Sequence, residues 1–146
     1  LTGLDKSLPV RRWQALGVTG RHGSLQPSAG QASVLLPVGH KGPAFLTYPN
    51  FNVYFEWNQS LVYVTTAAYF ATLLSGAPRF DPGTPDTGLT GQDMQALQRK
   101  LMARGHDVGK IDGILGSKTR AAVQAEQYRL NLPADAWPTP NFLARL

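Results

Sequence analysis

Trp57, Asn58, Ser60 and Tyr63 place two aromatic rings, an amide and a hydroxyl within seven consecutive positions. That combination suits a sugar, whose C–H face stacks on a ring while its hydroxyls bond to the amide and hydroxyl groups. The same residue types also build cores, because aromatic side chains bury large areas. Nine of the fourteen aromatics lie between Phe45 and Phe70. By residue type alone most of these belong to a core, and only the minority around Asn58 and Ser60 is a candidate for binding.

Groups for acid–base chemistry are scarce. The only glutamates are Glu56 and Glu126. Glu56 follows an aromatic stretch that reads as a strand, and it is expected as a charge facing solvent, with a cleft position as the alternative. Glu126 shares the apolar face of its helix with Ala122, Val123 and Leu130, which predicts either a helix end open to water or a basic partner. His22, His40 and His106 are scattered and lack zinc spacing. Cysteine is absent, which excludes a disulfide framework, a thiolate zinc site and a cysteine nucleophile. There is no phosphate-binding loop or dinucleotide fingerprint. The Asp107–Asp112 loop lacks the ligand spacing and terminal Glu of a calcium-binding EF-hand loop and reads as Asx and glycine turns. No cofactor and no metal are expected.

The elements that must position these residues fall into two segments. Between Ser75 and Leu89, Pro78, Pro82 and Pro85 alternate with Gly76, Gly83 and Gly88. Proline lacks a donor and restricts its neighbours, so residues 76–89 are predicted as a semi-extended linker. Before it, Arg11–Leu16 is a short amphipathic piece, followed by a turn-prone stretch containing Gly17, Gly20, Gly23, Pro27 and Gly30. Ala32–Leu36 and Ala44–Tyr48 read as strands joined by a turn at Gly39-His40-Lys41-Gly42. Leu61–Leu74 carries apolar residues without a breaker and is predicted as a largely buried helix.

After the linker, Thr90 is a candidate N-cap with Asp93 in the first turn. Met94, Leu97, Leu101 and Met102 recur at helical spacing, and Gly105 sits where a left-handed C-terminal glycine belongs. Ile114 and Leu115 are expected to pin the following loop to a core. Ser117 is a candidate cap for a second helix reaching about Arg129, and Asn141–Leu146 is a final short helix. The result is a small three-helix unit.

The 146 residues are 42% hydrophobic and 16% charged, which fits folded domains rather than a disordered tail. The net charge is +5, with six Lys/Arg against three Asp/Glu up to residue 85 and eight against six beyond it. Such a diffuse excess attracts polyanions only weakly. No apolar run approaches the ~20 residues of a membrane-spanning helix. Leu1-Thr2-Gly3-Leu4 carries no initiator Met and no signal-peptide pattern, and reads like the interior of a longer chain.

Two resemblances give these elements a context. Leu97-Gln98, Leu101, Gly105, Asp112-Gly113-Ile114-Leu115-Gly116-Ser117-Lys118-Thr119-Arg120-Ala121-Ala122-Val123 and Gln127 resemble the three-helix peptidoglycan-binding module attached to cell-wall hydrolases. In that pattern Asp112-Gly113 and Gly116 shape the interhelical loop, while Thr119, Ala121 and Ala122 allow close packing. The family usually has an aromatic where Glu126 stands and often a glycine where Ala136 stands.

The first segment resembles the C-terminal part of the catalytic domain of MltB-type lytic murein transglycosylases. The matching pieces are Trp13 with Leu16-Gly17-Val18, Ala32–Pro37, Gly42–Leu46, Asn50-Phe51, and Trp57-Asn58-Gln59-Ser60-Leu61-Val62-Tyr63. The last looks like the family's Tyr-Asn-x-Ser-x-x-Tyr signature, with Trp57 in place of its first tyrosine. The resemblance implies substrate-binding roles for Trp57, Asn58 and Tyr63 in a glycan cleft.

It also implies an α+β fold: a small antiparallel β region and helix from a lysozyme-like catalytic domain (1–75), the linker (76–89) and the binding module (90–146). The implied activity is non-hydrolytic cleavage of the MurNAc–GlcNAc bond. One glutamic acid protonates the leaving oxygen, then as a base assists attack by the muramyl hydroxymethyl group, leaving an anhydro-muramyl end. In the family that acid lies upstream of the matched stretch, so no catalytic residue is assigned within this chain. Expected partners are peptidoglycan glycan strands and the N-terminal catalytic portion of the same protein, with no nucleic acid and no membrane-spanning segment. The implied compartment is the periplasm of a Gram-negative bacterium, with any lipid anchor upstream. The alternatives are a non-catalytic peptidoglycan-binding protein and a nucleic-acid-binding three-helix module carrying Arg120, Gln124 and Gln127.

Overall fold

The computed structural model describes residues 2–21, 23–25, 30–58 and 60–146. His22, Pro27 and Gln59 lie outside the described residues. The fold is α+β, with a three-stranded antiparallel sheet in the order β1-β2-β3 and six α-helices among the described residues.

β1 (Leu8–Pro9) is an edge strand, where proline's missing donor costs no ladder bond. It leads directly into α1 (Val10–Ala15), whose Val10 and Trp13 are buried. The central strand β2 (Gln31–Leu35) is buried from Ala32 to Leu35, covered on both faces. The Trp13 indole N–H donates to the Ala32 carbonyl at 2.7 Å and ties α1 to the sheet. β3 (Phe45–Thr47) returns antiparallel, pairing Ser33 with Thr47 and Leu35 with Phe45. The predicted turn lies between them, closed by Gly42 N–H on the Gly39 carbonyl at 3.2 Å.

The aromatic stretch after β3 is not a strand. Pro49–Val53 forms a 3₁₀ turn that runs into α2 (Tyr54–Trp57). α3 (Leu61–Leu74) has the predicted bounds but not the predicted burial. Only Val64 is fully buried, while Val62, Tyr63, Phe70 and Leu74 are exposed. One face of α3 packs with Leu35 and Phe51, and Tyr69 meets Phe45 and Phe80, while Val62, Tyr63, Phe70 and Leu74 remain exposed. The aromatic core is correspondingly smaller than expected. Of the nine clustered aromatics only Phe51 is fully buried.

The module consists of α4 (Gly91–Ala103), α5 (Ser117–Arg129) and α6 (Pro140–Ala144) around Leu97, Leu101, Val108, Val123 and Phe142. Thr90 caps α4, its hydroxyl accepting from Asp93 N–H at 3.2 Å. Gly105 adopts φ +90 just beyond the helix end, as a left-handed cap requires.

Four expectations about the module need correction. Met102 is exposed, and Gln98 takes the buried place beside Leu101. Ser117 is the first residue of α5 and caps nothing, because Gly116 is the cap position. Ile114 is exposed, so Leu115 alone packs on the core. Ala121 is exposed, leaving Thr119 and Ala122 as the close-packing positions.

The 76–89 stretch is extended, as its prolines dictate, and although largely exposed it is tied down at Phe80, Thr84 and Asp86. Phe80 stacks edge-on against Phe45 and Tyr69, and its N–H donates to the Tyr69 hydroxyl at 3.2 Å. Thr84 N–H donates to the Lys41 carbonyl at 2.9 Å, and the Trp137 indole donates to the Asp86 carbonyl at 2.9 Å.

Candidate functional site

The residues singled out for binding lie at the α2–α3 junction, where the chain breaks helix and restarts it. Asn58 is extended there, at φ −151 and ψ 130. Its Oδ1 accepts from Ser60 N–H at 2.8 Å, and Ser60 Oγ accepts from Tyr63 N–H at 3.4 Å. Asn58 and Ser60 thus build the start of α3, which is why the sequence can turn here without a glycine.

Asn58 Nδ2 has no protein partner among the described residues. Trp57 is 86% exposed and Tyr63 is 50% exposed. The two rings make no stacking contact with each other among the described pairs. The junction therefore carries two exposed aromatic rings on either side of Asn58 in sequence, with its backbone tied by two short-range bonds.

Glu56 lies on α2, exposed to solvent as expected but on a helix rather than at a strand edge. Glu126 has basic partners, the second of the two expected outcomes. Its carboxylate is 2.9 Å from His106 Nε2, 2.7 Å from Arg129 Nη2 and 3.7 Å from Arg104 Nε. The bond from Arg129 chiefly, helped by His106 and opposed by burial, holds the Glu126 carboxyl below its ordinary value. Where the family keeps an aromatic, this chain therefore keeps a hydrogen-bonded ion cluster.

The interhelical loop explains the Gln98 and Asp112-Gly113 pattern. Gln98 Oε1 accepts from Gly113 N–H at 3.0 Å, and Gln98 Nε2 donates to Asp112 Oδ1 at 3.2 Å and to the Ile114 carbonyl at 3.1 Å. Gly113 has φ +77, and a Cβ there would lie 2.7 Å from the Gly91 carbonyl oxygen. Gly116 has no such need, since nothing lies near its missing Cβ.

Residues 1–72 match the family described as "Transglycosylase SLT domain" and residues 90–146 the family "Putative peptidoglycan binding domain". The chain thus matches a transglycosylase SLT domain in its first segment and a peptidoglycan-binding domain in its second. Two structures of SltB3 from Pseudomonas aeruginosa, one in complex with NAG-anhNAM-pentapeptide and one with NAG-NAM-pentapeptide, share its fold. Each aligns with a TM-score of 0.82 and 41% identity over 99% of this chain. The chain spans only 40% of the length of those relatives. No curated protein matches it.

Sequence reasoning passed over the residues that join the two units of this chain. Asp135 accepts from His40 N–H at 3.0 Å and lies 2.6 Å from His40 Nδ1. Arg120 Nη2 donates to the Pro37 carbonyl at 2.8 Å, and Gln124 Nε2 to the Thr2 carbonyl at 3.1 Å. Gln127 bonds Asp135 Oδ1 at 2.9 Å. Arg120, Gln124 and Gln127 each spend a side-chain nitrogen on bonds inside the molecule. The one available signal was the run of polar residues on α5 outside its apolar face.

No group of three or more metal-ligating side chains occurs among the described residues. No helix among them is long and apolar enough to cross a membrane.

Proposed function

We propose that this chain is the glycan-cleft wall and wall-binding module of a lytic murein transglycosylase acting on the MurNAc–GlcNAc bond. The observation that carries this reading is the exposed Trp57–Asn58–Tyr63 junction on an SLT-family segment followed by a peptidoglycan-binding domain. Residues 1–75 supply the cleft wall, 76–89 connect, and 90–146 hold the peptidoglycan. Trp57 and Tyr63 stack on sugar faces, and the Asn58 amide donates to a sugar oxygen.

The catalytic carboxyl comes from a part of the protein outside these residues. Glu56 faces water and Glu126 is neutralised by cations, whereas an acid that switches to a base needs a raised pKa in an apolar cleft. The uncovered face of α3 is the surface against which that catalytic portion packs. The setting is the periplasm of a Gram-negative bacterium, where the full protein is either soluble or lipid-anchored.

The test is incubation with purified sacculi, followed by sedimentation and mass spectrometry of the supernatant. The chain is expected to co-sediment without releasing product, while the longer protein releases anhydro-muropeptides. Release by these residues alone would overturn the placement of the acid, and Glu56 would be mutated first. Failure to co-sediment would overturn the wall-binding role.

A further inference from the structure

The charge of the binding module is not spread evenly. Lys100 lies in the last turn of α4, Arg104 takes its cap position, Arg129 ends α5 and Arg145 takes the cap position of α6. Their bonds close a ring among the three helix ends. Lys100 Nζ donates to the Leu143 carbonyl at 3.4 Å, and Arg104 Nη2 donates to the Leu146 carbonyl, which joins α4 to α6. Arg145 Nη2 donates to the Leu130 carbonyl at 3.3 Å, which joins α6 to α5. Arg104 Nε and Arg129 Nη2 lie 3.7 Å and 2.7 Å from Glu126 Oε2, which joins α5 back to α4. All four cations are exposed.

Cations suit helix C-termini, whose last carbonyls lack partners. That accounts for the carbonyl bonds of Lys100, Arg104 and Arg145, but not for the imbalance. Glu126 is the one side-chain carboxylate within 4.0 Å of these cations among the described residues. The module's other carboxylates are placed elsewhere. Asp93 is in the first turn of α4, Asp107 pairs with Lys118 at 2.7 Å, Asp112 accepts from Ile114 N–H at 2.9 Å, and Asp135 pairs with His40 at 2.6 Å. Four cations therefore share one carboxylate, and the fold gathers at one end an excess that reads as diffuse along the sequence.

None of the four lines the large cavity between the two units, so an anion meets them on an open surface. A single small anion gains little from exposed cations in water. A surface that carries many anions engages all of them together, at about fivefold in affinity for each Lys or Arg near an anionic bilayer. Duplex DNA instead calls for a helix or ribbon laid along a groove. This end presents helix termini, and Arg120 and Gln124 on the length of α5 are engaged with the Pro37 and Thr2 carbonyls.

We propose that this basic end of the module docks on an anionic phospholipid surface, with Lys100, Arg104, Arg129 and Arg145 meeting its phosphate headgroups. The inference goes beyond the glycan reading and does not depend on it, since Trp57, Asn58 and Tyr63 belong to the other unit. The docking is peripheral and electrostatic, with no part of the module inserted across the bilayer.

Co-sedimentation with vesicles tests this, comparing equimolar phosphatidylglycerol and phosphatidylcholine with phosphatidylcholine alone. Binding is expected on the anionic vesicles, absent on the neutral ones, and weakened by salt. The double variant Lys100→Gln with Arg145→Gln leaves the Glu126 cluster in place and should weaken binding about 30-fold. Lys100→Gln alone should weaken it about fivefold, which keeps the test valid if the double variant disturbs the fold. Arg11→Gln with Arg12→Gln removes the same charge from exposed positions of α1 and should change binding little. Equal losses in the two double variants would show a response to net charge alone and overturn the site. Absence of binding to the anionic vesicles would overturn it as well. Tighter binding to duplex DNA, lost in the Lys100 and Arg145 variant, would assign the patch to nucleic acid instead.

Discussion

His40 and Asp135 stand 95 positions apart in sequence, yet His40 Nδ1 lies 2.6 Å from Asp135 Oδ2. The contact joins the β2–β3 turn of the transglycosylase segment to the loop before α6 of the binding module. Asp135 is also the module's own anchor, accepting from Trp137 N–H at 2.9 Å and from Gln127 Nε2 at 2.9 Å. Burial by itself would raise the Asp135 carboxyl, but the bonds from His40, Trp137 and Gln127 outweigh it and hold it below its ordinary value. The packing next to it is tight. A Cβ on Gly39, whose φ is +83, would lie 2.9 Å from Trp137 Cβ.

Removing either partner therefore has different consequences. His40→Ala takes away one side chain and should cost about 1 kcal/mol, while loosening the arrangement of the two units. Asp135→Ala also leaves Gln127 and the Trp137 N–H without their acceptor, and should cost about 2–3 kcal/mol. Chemical denaturation reads the stabilities. Limited proteolysis within 76–89 reads the loosening, with faster cleavage expected for both variants.

Glu126 should make the module acid-sensitive. Its folded pKa lies below the ordinary 4.5, so between the two values the unfolded chain binds more protons than the native state. Its contribution is fully present above the unfolded value and is lost as pH falls through the folded one. The thermal midpoint is thus expected to hold steady from neutral pH and decline below about 4.5. Glu126→Gln should make that decline shallower without abolishing it, since Asp135 titrates in the same direction. An unchanged slope in the variant would refute the assignment.

Ala136 is held at φ +61, a left-handed conformation that costs a residue with a Cβ. The position is fixed because its N–H donates to Gln127 Oε1 at 2.9 Å. Ala136→Gly should therefore stabilise the chain by about 1 kcal/mol, read as a raised unfolding midpoint. This accounts physically for the glycine that the family often carries here.

Trp57 rests on nothing that its removal would collapse. Trp57→Ala should shift stability by less than about 0.5 kcal/mol, since exposed side chains away from caps and cores contribute little. Retention on sacculi or affinity for a peptidoglycan disaccharide should fall clearly. Asn58→Ala should cost both, because the same amide oxygen that frames the site also bonds Ser60 N–H.

Local pattern was sufficient for the parts of this protein whose determinants are near in sequence. Helix spacing, the Thr90 cap, Gly105 and Leu115 placed α4, α5 and α6. The unbroken run from Leu61 to Leu74 placed α3. The Trp57–Tyr63 spacing marked the junction that stands exposed. Each of these depends on bonds within a few residues. What those cues could not reach were partnerships across long stretches of chain. An apolar helix reads as buried whether or not a cover exists, so the exposed face of α3 was invisible. A lone histidine, a turn aspartate and an arginine on a helix read as surface groups until the chain brings His40 to Asp135 and Arg120 to Pro37. The linker read only as semi-extended because proline reports its own stiffness, whereas its contacts depend on Lys41, Tyr69 and Trp137 lying where Thr84, Phe80 and Asp86 can reach them.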